Sequence, residues 1–366
     1  MEGRPTCAME ASRSRPRPAG LLATFVALAL TLAPAAGAAT RNVTPNDRAF
    51  SAQWELADNA IMGARTAWGT STGAGVVVAV LDTGAQLDHP DLAGNLWTNP
   101  ADGSHGYDFV NHDNDPSDDN GHGTSVAGII AARGNNGIGV TGVAPQTKLM
   151  IVKVLGADGS GDEGQVAAGV LYAVRNGAKI INLSMAGPQD DPTLEAALQT
   201  ARDAGVLIVA AAGNNGADLD TTPAYPASAP LDNVIAVAST DERGALAGDS
   251  GFGRNSVAIA APGEDIDSTA TGGRYGVRSG TSQAAAHVSG VLALELAAKP
   301  GATAQELRAA LLAGARRTTL PVASGALDAA GALRALAGNA RRLVKRTVTT
   351  RTRTRAAARR SVVAAA

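Results

Sequence analysis

The chain predicts an α/β fold, a doubly wound and mostly parallel sheet with helices on both faces. Three observations predict it. Apolar, β-rich runs alternate with segments of helical pattern after Trp68, and alternation of this kind builds parallel sheets. The runs read as buried strands, and the helical segments carry Ala, Leu and Val faces to cover them. At 366 residues and 45% apolar content the chain can bury a large core, so disorder is not the default reading.

In chain order, strands are expected at 76–82, 148–155, 178–185, 206–213, 233–240 and 256–263. Helices are expected at 162–176, 192–204, 282–298 and 303–313. Gly325-Ala326-Leu327-Asp328 reads as a last turn into a closing helix that ends near Leu336. A doubly wound sheet places its sites at the carboxyl ends of the strands. No repeat period appears.

The flanks differ from this body. Residues 1–39 place Arg4, Arg13, Arg15 and Arg17 before an apolar run and then Ala36-Gly37-Ala38-Ala39, the design of a secretory signal peptide. The alternative, a membrane anchor, needs roughly 20 apolar residues, and the run is shorter. The folded body is expected over 40–337, and 338–366 shifts to Arg, Thr and Ala, a basic and disordered tail. The expectation is a secreted protein with no transmembrane span once the signal is removed. Association with an anionic cell envelope through the tail is a second possibility.

Charge and cysteine content narrow the chemistry. The chain has 31 basic and 33 acidic residues; 4 and 2 lie in 1–39, 9 and none in 341–366, which leaves 18 against 31 between them. An acidic body argues against nucleic acid as the main partner and suits hard cations. The single cysteine, Cys7, precedes the apolar run, so thiol nucleophiles, thiolate metal sites and disulfides are excluded from the expected mature protein.

Three segments carry chemistry: Val80-Leu81-Asp82-Thr83-Gly84, Asn120-Gly121-His122-Gly123-Thr124 and Ser279-Gly280-Thr281-Ser282. Singly each has a plain structural reading, as a strand end, a core histidine and a helix cap. Together they supply a hydroxyl nucleophile, an imidazole to take its proton and a carboxylate to orient the imidazole. Asn214, after Ala210-Ala211-Ala212-Gly213, adds an amide donor for an oxyanion, with the backbone N–H of Ser282 as the second. A Gly-x-Ser-x-Gly elbow with histidine last would mark an α/β-hydrolase, but Ser282 sits in Gly280-Thr281-Ser282-Gln283-Ala284 and His122 precedes it.

The order Asp, His, Ser with these motifs resembles the subtilisin-like serine proteases, from about Pro45 to Leu336. Within that family Pro45-Asn46-Asp47, Asn182-Leu183-Ser184-Met185 and the run from Ile235 to Asp241 are most similar to the thermitase-like branch. The resemblance implies a serine endopeptidase that works on protein or peptide substrates as a monomer. It implies that Gly159, Ser160 and Gly161 on one side, and Ser184, Met185, Ala186 and Gly187 on the other, bind the backbone of an extended peptide as added strands. It implies an S1 pocket walled by Ala211, Ala212 and Gly213 and floored near Ala224, with no acidic residue and so an apolar or small P1 preference. The departures are Gln283 where Met is usual, Ala286 for Pro, Ser125 for His and Ala186 for Gly. They leave open a catalytically weak homologue that only binds peptides.

The resemblance also implies structural Ca²⁺. Gly134-Asn135-Asn136-Gly137-Ile138-Gly139-Val140 resembles the family's strong calcium loop, with ligands from Gly134, Asn136, Ile138, Val140, Asp47 and Asp91. A second cluster, Asp108, Asp113 and Asp115 with Asn111 and Ser117 between, matches a second calcium position or else a solvated acidic loop. His89, His105 and His112 show no transition-metal spacing and read as surface residues.

Overall fold

The computed structural model describes residues 42–338. The expected signal at 1–39 and nearly all of the expected tail at 338–366 lie outside them. Among the described residues no helix is long and apolar enough to cross a membrane.

Three short helices, α1 (Trp54–Ala57), α2 (Asn59–Met62) and α3 (Ala64–Ala67), precede the sheet. Its seven strands are β1 (Val77–Asp82), β2 (Gly106–Asp108), β3 (Lys148–Lys153), β4 (Ile180–Leu183), β5 (Leu207–Ala211), β6 (Val234–Thr240) and β7 (Ile259–Pro262). They lie in the order β2-β3-β1-β4-β5-β6-β7, and every pair is parallel. The six expected strands are all present, most of them shorter than the apolar runs that announced them. The seventh, β2, was not expected. β1 is hydrogen-bonded to β3 on one side and β4 on the other. The winding reverses there, so the carboxyl end of β1, which is Asp82, stands at the switch point where open sheets place their ligands.

Alternation along the strands divides the core. Val78, Val80, Ile151, Val209 and Val237 face one side, with α4 (His122–Ala131), α7 (Thr281–Ala298) and α8 (Ala304–Gly314). Ala79, Leu81, Val152, Ile181 and Ile208 face the other, with α5 (Glu163–Arg175) and α6 (Pro192–Asp203). Successive strand side chains point to opposite faces, so both layers are apolar without a break in the strand sequence. Each fully buried Val, Leu or Ile contributes about 1.5–3 kcal/mol. A charge at Val80 would therefore cost more than most single contacts stabilise.

The helix starts are signalled locally. Asp162 and Asp191 cap α5 and α6 by accepting from the N–H groups one turn in, and Thr303 with Glu306 forms a capping box on α8. α7 is different. Every residue from Thr281 to Leu296 is buried, as a helix apolar on all sides must be.

A hairpin that the sequence did not announce, β8 (Ile266–Ala270) and β9 (Arg274–Arg278), folds over α4. His89 lies beneath it. The expectation of a surface histidine was wrong, because His89 is fully buried, accepts from the Asp91 N–H through Nδ1 and meets the Arg274 carbonyl through Nε2.

Candidate active site

Asp82 ends β1 and is fully buried. Its Oδ1 accepts from its neighbour's N–H, Thr83 N, at 2.7 Å and meets His122 Nδ1 at 2.7 Å. His122 opens α4, after Gly121 at φ 102°. The approach depends on Gly123: a Cβ there would stand 2.1 Å from the Gly84 carbonyl and 3.1 Å from Asp82 Oδ1. Only glycine lets the helix come this close to the strand end.

Asp118 holds the same loop. Its carboxylate accepts from Thr83 Oγ1 at 2.8 Å, from the N–H groups of Asn120 and Gly121, and from Thr124 N at 2.8 Å. Burial works to raise this carboxyl, but the hydrogen bonds from Thr124, Gly121 and Asn120 prevail and hold it below its usual range. Lys153 fastens the neighbouring strand end by donating to Thr83 O, Leu155 O and Asp119 Oδ1.

The charge of Asp82 holds the His122 imidazole above its ordinary value, against the effect of burial. Arg278 pulls the other way. With Nδ1 on Asp82, Nε2 is the ring atom left for chemistry.

Ser282 is the second residue of α7 and faces the same cleft, almost buried. Its Oγ donates to the Ser184 carbonyl at 3.0 Å, and Ser184 Oγ returns a bond to the Ser282 carbonyl at 2.9 Å. The Asn214 side-chain oxygen accepts from Thr281 N at 2.8 Å and Thr281 Oγ1 at 2.9 Å. That fixes the amide and leaves its NH₂ as a donor. The Ser282 N–H, in the first turn of α7, has no intramolecular acceptor among the described residues, as the first N–H groups of a helix do not.

The cleft, about 580 Å³, gathers residues from each of the catalytic and substrate-binding segments singled out in the sequence. His122, Gly159, Ser184, Met185, Ala186, Ala211, Gly213, Asn214, Ala224 and Ser282 all line it. Ser160 and Gly161 do not. Both are exposed, and the Ser160 hydroxyl is turned to Asp158. Ala212 is buried on the opposite side of the sheet from Ala211, with the α5 and α6 layer, because adjacent strand residues face opposite ways. Sequence reasoning missed Asn120, Thr222 and Arg278 among the lining residues. Arg278 lies in the run Arg278-Ser279-Gly280-Thr281-Ser282, and its closeness to the expected nucleophile was the available signal.

The expected metal residues fall into two groups. Asp47 and Asp91 are buried and have no ion-pair partner among the described residues. Asn136 joins them, giving its N–H to Asp47 at 3.2 Å and its amide to Asp91 at 2.7 Å, while Val140 N donates to Asp91. Tyr275 packs over Gly139 and Asp91, and burial, then Asp91 and Asp47, push its phenol up. Two buried carboxylates in a loop of small residues with no cationic side chain fit a hard divalent cation. Ile138 borders this loop, and Gly134 begins it against Thr141.

Asp108, Asp113 and Asp115 do not fit one. Asp108 already accepts from Val110 N, Asn111 N and the Asn111 amide, whereas Asp115 holds the Ser117 hydroxyl at 2.5 Å. Among the described residues no three His, Cys, Asp or Glu side chains gather in a metal-binding group.

Known proteins share this arrangement. The subtilase family pattern matches residues 73–342. Thermitase of Thermoactinomyces vulgaris is 42% identical over 268 residues, covering 73% of this chain and 90% of that protein. Subtilisin Savinase of Lederbergia lenta is 46% identical over 223 residues, covering 61% and 77%. Among solved structures, a protease of Pseudoalteromonas arctica superposes with a TM-score of 0.71 at 34% identity, covering 80% of this chain and 100% of that one.

Proposed function

We infer, from a chain that belongs to the subtilase family of serine endopeptidases, that Ser282 is its nucleophile, His122 its general base and Asp82 the group that orients the imidazole. The observation that carries this reading is the 2.7 Å contact between Asp82 and His122 Nδ1 at a cleft lined also by Ser282 and Asn214.

The chemistry follows from the donors and acceptors. Asp82 accepts the hydrogen bond of Nδ1–H and so fixes the neutral His122 tautomer that presents Nε2 as an acceptor. Ser282 Oγ turns from the Ser184 carbonyl, gives its proton to Nε2 and bonds to the carbonyl carbon of the substrate. The oxygen of that carbonyl becomes negative and accepts from Asn214 and from the Ser282 N–H, donors already held in place before reaction. His122 passes the proton to the leaving amine, and water repeats the sequence to release the acyl group. Burial of Asp82 matters here because it opposes the imidazolium charge without solvent screening.

Substrate reading rests on the walls. Ala211, Gly213 and Ala224 are small and uncharged, so apolar or small P1 side chains fit best. Gly159 on one side and Ser184, Met185 and Ala186 on the other leave an extended peptide between two backbone edges. Domain limits of 40–337, export through the signal at 1–39, and monomeric action on protein or peptide substrates belong to the same proposal. So does one structural Ca²⁺, which would be held by Asp47, Asp91, Asn136 and carbonyls of Gly134, Ile138 and Val140. No metal is proposed at Asp108, Asp113 and Asp115.

Casein hydrolysis tests the reading. Folded Ser282→Ala is expected to lose it, and near-normal turnover by that variant overturns the assignment.

A further inference from the structure

Arg278 ends β9 and lines the cleft. Among the residues that line it, Arg278 is the only one with a permanent charge. The guanidinium has no hydrogen-bond or carboxylate partner among the described residues. An unpaired guanidinium in a cleft whose other lining side chains carry no permanent charge is a ready donor to a planar anion.

Its position says which part of a substrate it meets. The acyl side chain is expected at the end of β5, against Ala211, Gly213 and Ala224. The leaving amine takes its proton from His122, so it departs on the imidazole side. Arg278 is on that side, because its Nη2 stands 3.2 Å from where a Cβ on Gly121 would be, and Gly121 is the residue before His122.

We propose that Arg278 makes this enzyme select a carboxylate on the leaving-group segment of its substrate, in the first or second residue after the scissile bond. The carboxylate comes either from an Asp or Glu side chain or from the C-terminus of a short peptide. The inference rests on the hydrolytic reading above. A second consequence follows from the same placement. Arg278 opposes protonation of His122, so a bound carboxylate that neutralises it raises the tendency of the imidazole to hold a proton in the complex.

The test uses peptides with one common acyl half and Glu, Gln or Lys at the first or second position after the cleaved bond. Each is made with further residues beyond, and a second set ends at that position as free acid or amide. For the wild type, kcat/KM for Glu over Lys is expected to be about tenfold at low salt and to shrink toward one at about 0.5 M, as screening shortens the reach of the charge. In Arg278→Gln the ratio collapses at both salt levels, and the acid limb of kcat/KM moves to higher pH. A preference confined to free-acid peptides assigns the terminal carboxylate, and one confined to internal Glu assigns the side chain. A ratio near one in the wild type, or one unchanged in Arg278→Gln, overturns the inference while leaving the hydrolytic reading intact. No cleavage of any peptide, with Ser282 unreactive toward an organophosphorus probe, overturns both.

Discussion

The cleft and the loop at 134–140 both take carboxylates out of water, and they do so by opposite means. At the cleft, Asp82 faces one specific partner, the imidazole of His122, at 2.7 Å. At the loop, Asp47 and Asp91 are surrounded by dipoles only, the N–H groups of Asn135, Asn136 and Val140 and the Asn136 amide. A partner that can carry a positive charge balances the Asp82 carboxylate within the chain, although its Oδ2 has no hydrogen-bond partner among the described residues. Dipoles alone give Asp47 and Asp91 no cationic partner within the chain, and the proposed Ca²⁺ would supply one. The proposed catalytic centre is therefore expected to need no ion from solution, whereas the loop is where stability is expected to depend on solution conditions.

The largest effect expected from this contrast is on catalysis. His122→Ala leaves Asp82 buried without its partner and removes the base; the loss in kcat is expected to be on the order of 10⁶, as when a triad member that acts as a unit is removed. A circular dichroism spectrum unchanged from wild type, alongside that loss, confirms that the fold survives. Next is Asn214→Leu, expected to lower kcat about 10²–10³-fold with little change in KM, the size found for one oxyanion donor. An equal rise in KM instead would mean that Asn214 binds the ground state.

At the loop, the outcome is measured as stability. Chelation by EGTA is expected to lower the unfolding temperature by several degrees, because a ligand that binds only the folded state stabilises it by mass action. Asp91→Ala should unfold at the same temperature with and without millimolar calcium. Indifference of the wild type to calcium from micromolar to millimolar would sink the metal proposal.

A further buried carboxyl extends the comparison. Glu295, in the fourth turn of α7, has neither a cation nor a hydrogen bond, and burial pushes it well above the usual carboxylate range. It stays protonated where the unfolded chain is ionised, so the unfolded state binds fewer protons. Stability therefore falls as pH rises from the ordinary Glu value toward the folded one, by up to about 1.4 kcal/mol per pH unit. Glu295→Gln is expected to flatten that slope without changing kcat, which unfolding curves between pH 5 and pH 9 will show.

Apart from the uncapped α4, most of the fold was legible because its central strands are continuous apolar runs and α5, α6 and α8 have clear side-chain caps. β2 was not. Gly106-Tyr107-Asp108 has no strand signature and becomes one through pairing with Ile151, Val152 and Lys153. The β8–β9 hairpin escaped for a similar reason, since Ile266 to Arg278 owes its place to packing over α4 rather than to a long apolar run. That omission explains the one at the site. Asp82, His122, Asn214 and Ser282 sit beside small-residue motifs readable in the chain, but Arg278 ends the unannounced hairpin, and its closeness to Ser282 in the chain was the one signal for it. Ala212 shows the converse error. Residues next to a motif were assumed to share its face, and the parity of β5 turns this one away.

The central claim is that His122, poised by Asp82, activates Ser282, and the pH dependence of Ser282 labelling by an organophosphorus probe tests it most directly. The imidazole must be neutral to take the proton, and Asp82 holds it above its ordinary value. The rate of labelling, located on Ser282 by mass spectrometry, should therefore fall as pH drops through a midpoint above about 6.5. That dependence should vanish, with the rate, in His122→Ala. A label on any other residue, or a labelling rate at Ser282 that ignores both pH and the loss of His122, would contradict the account.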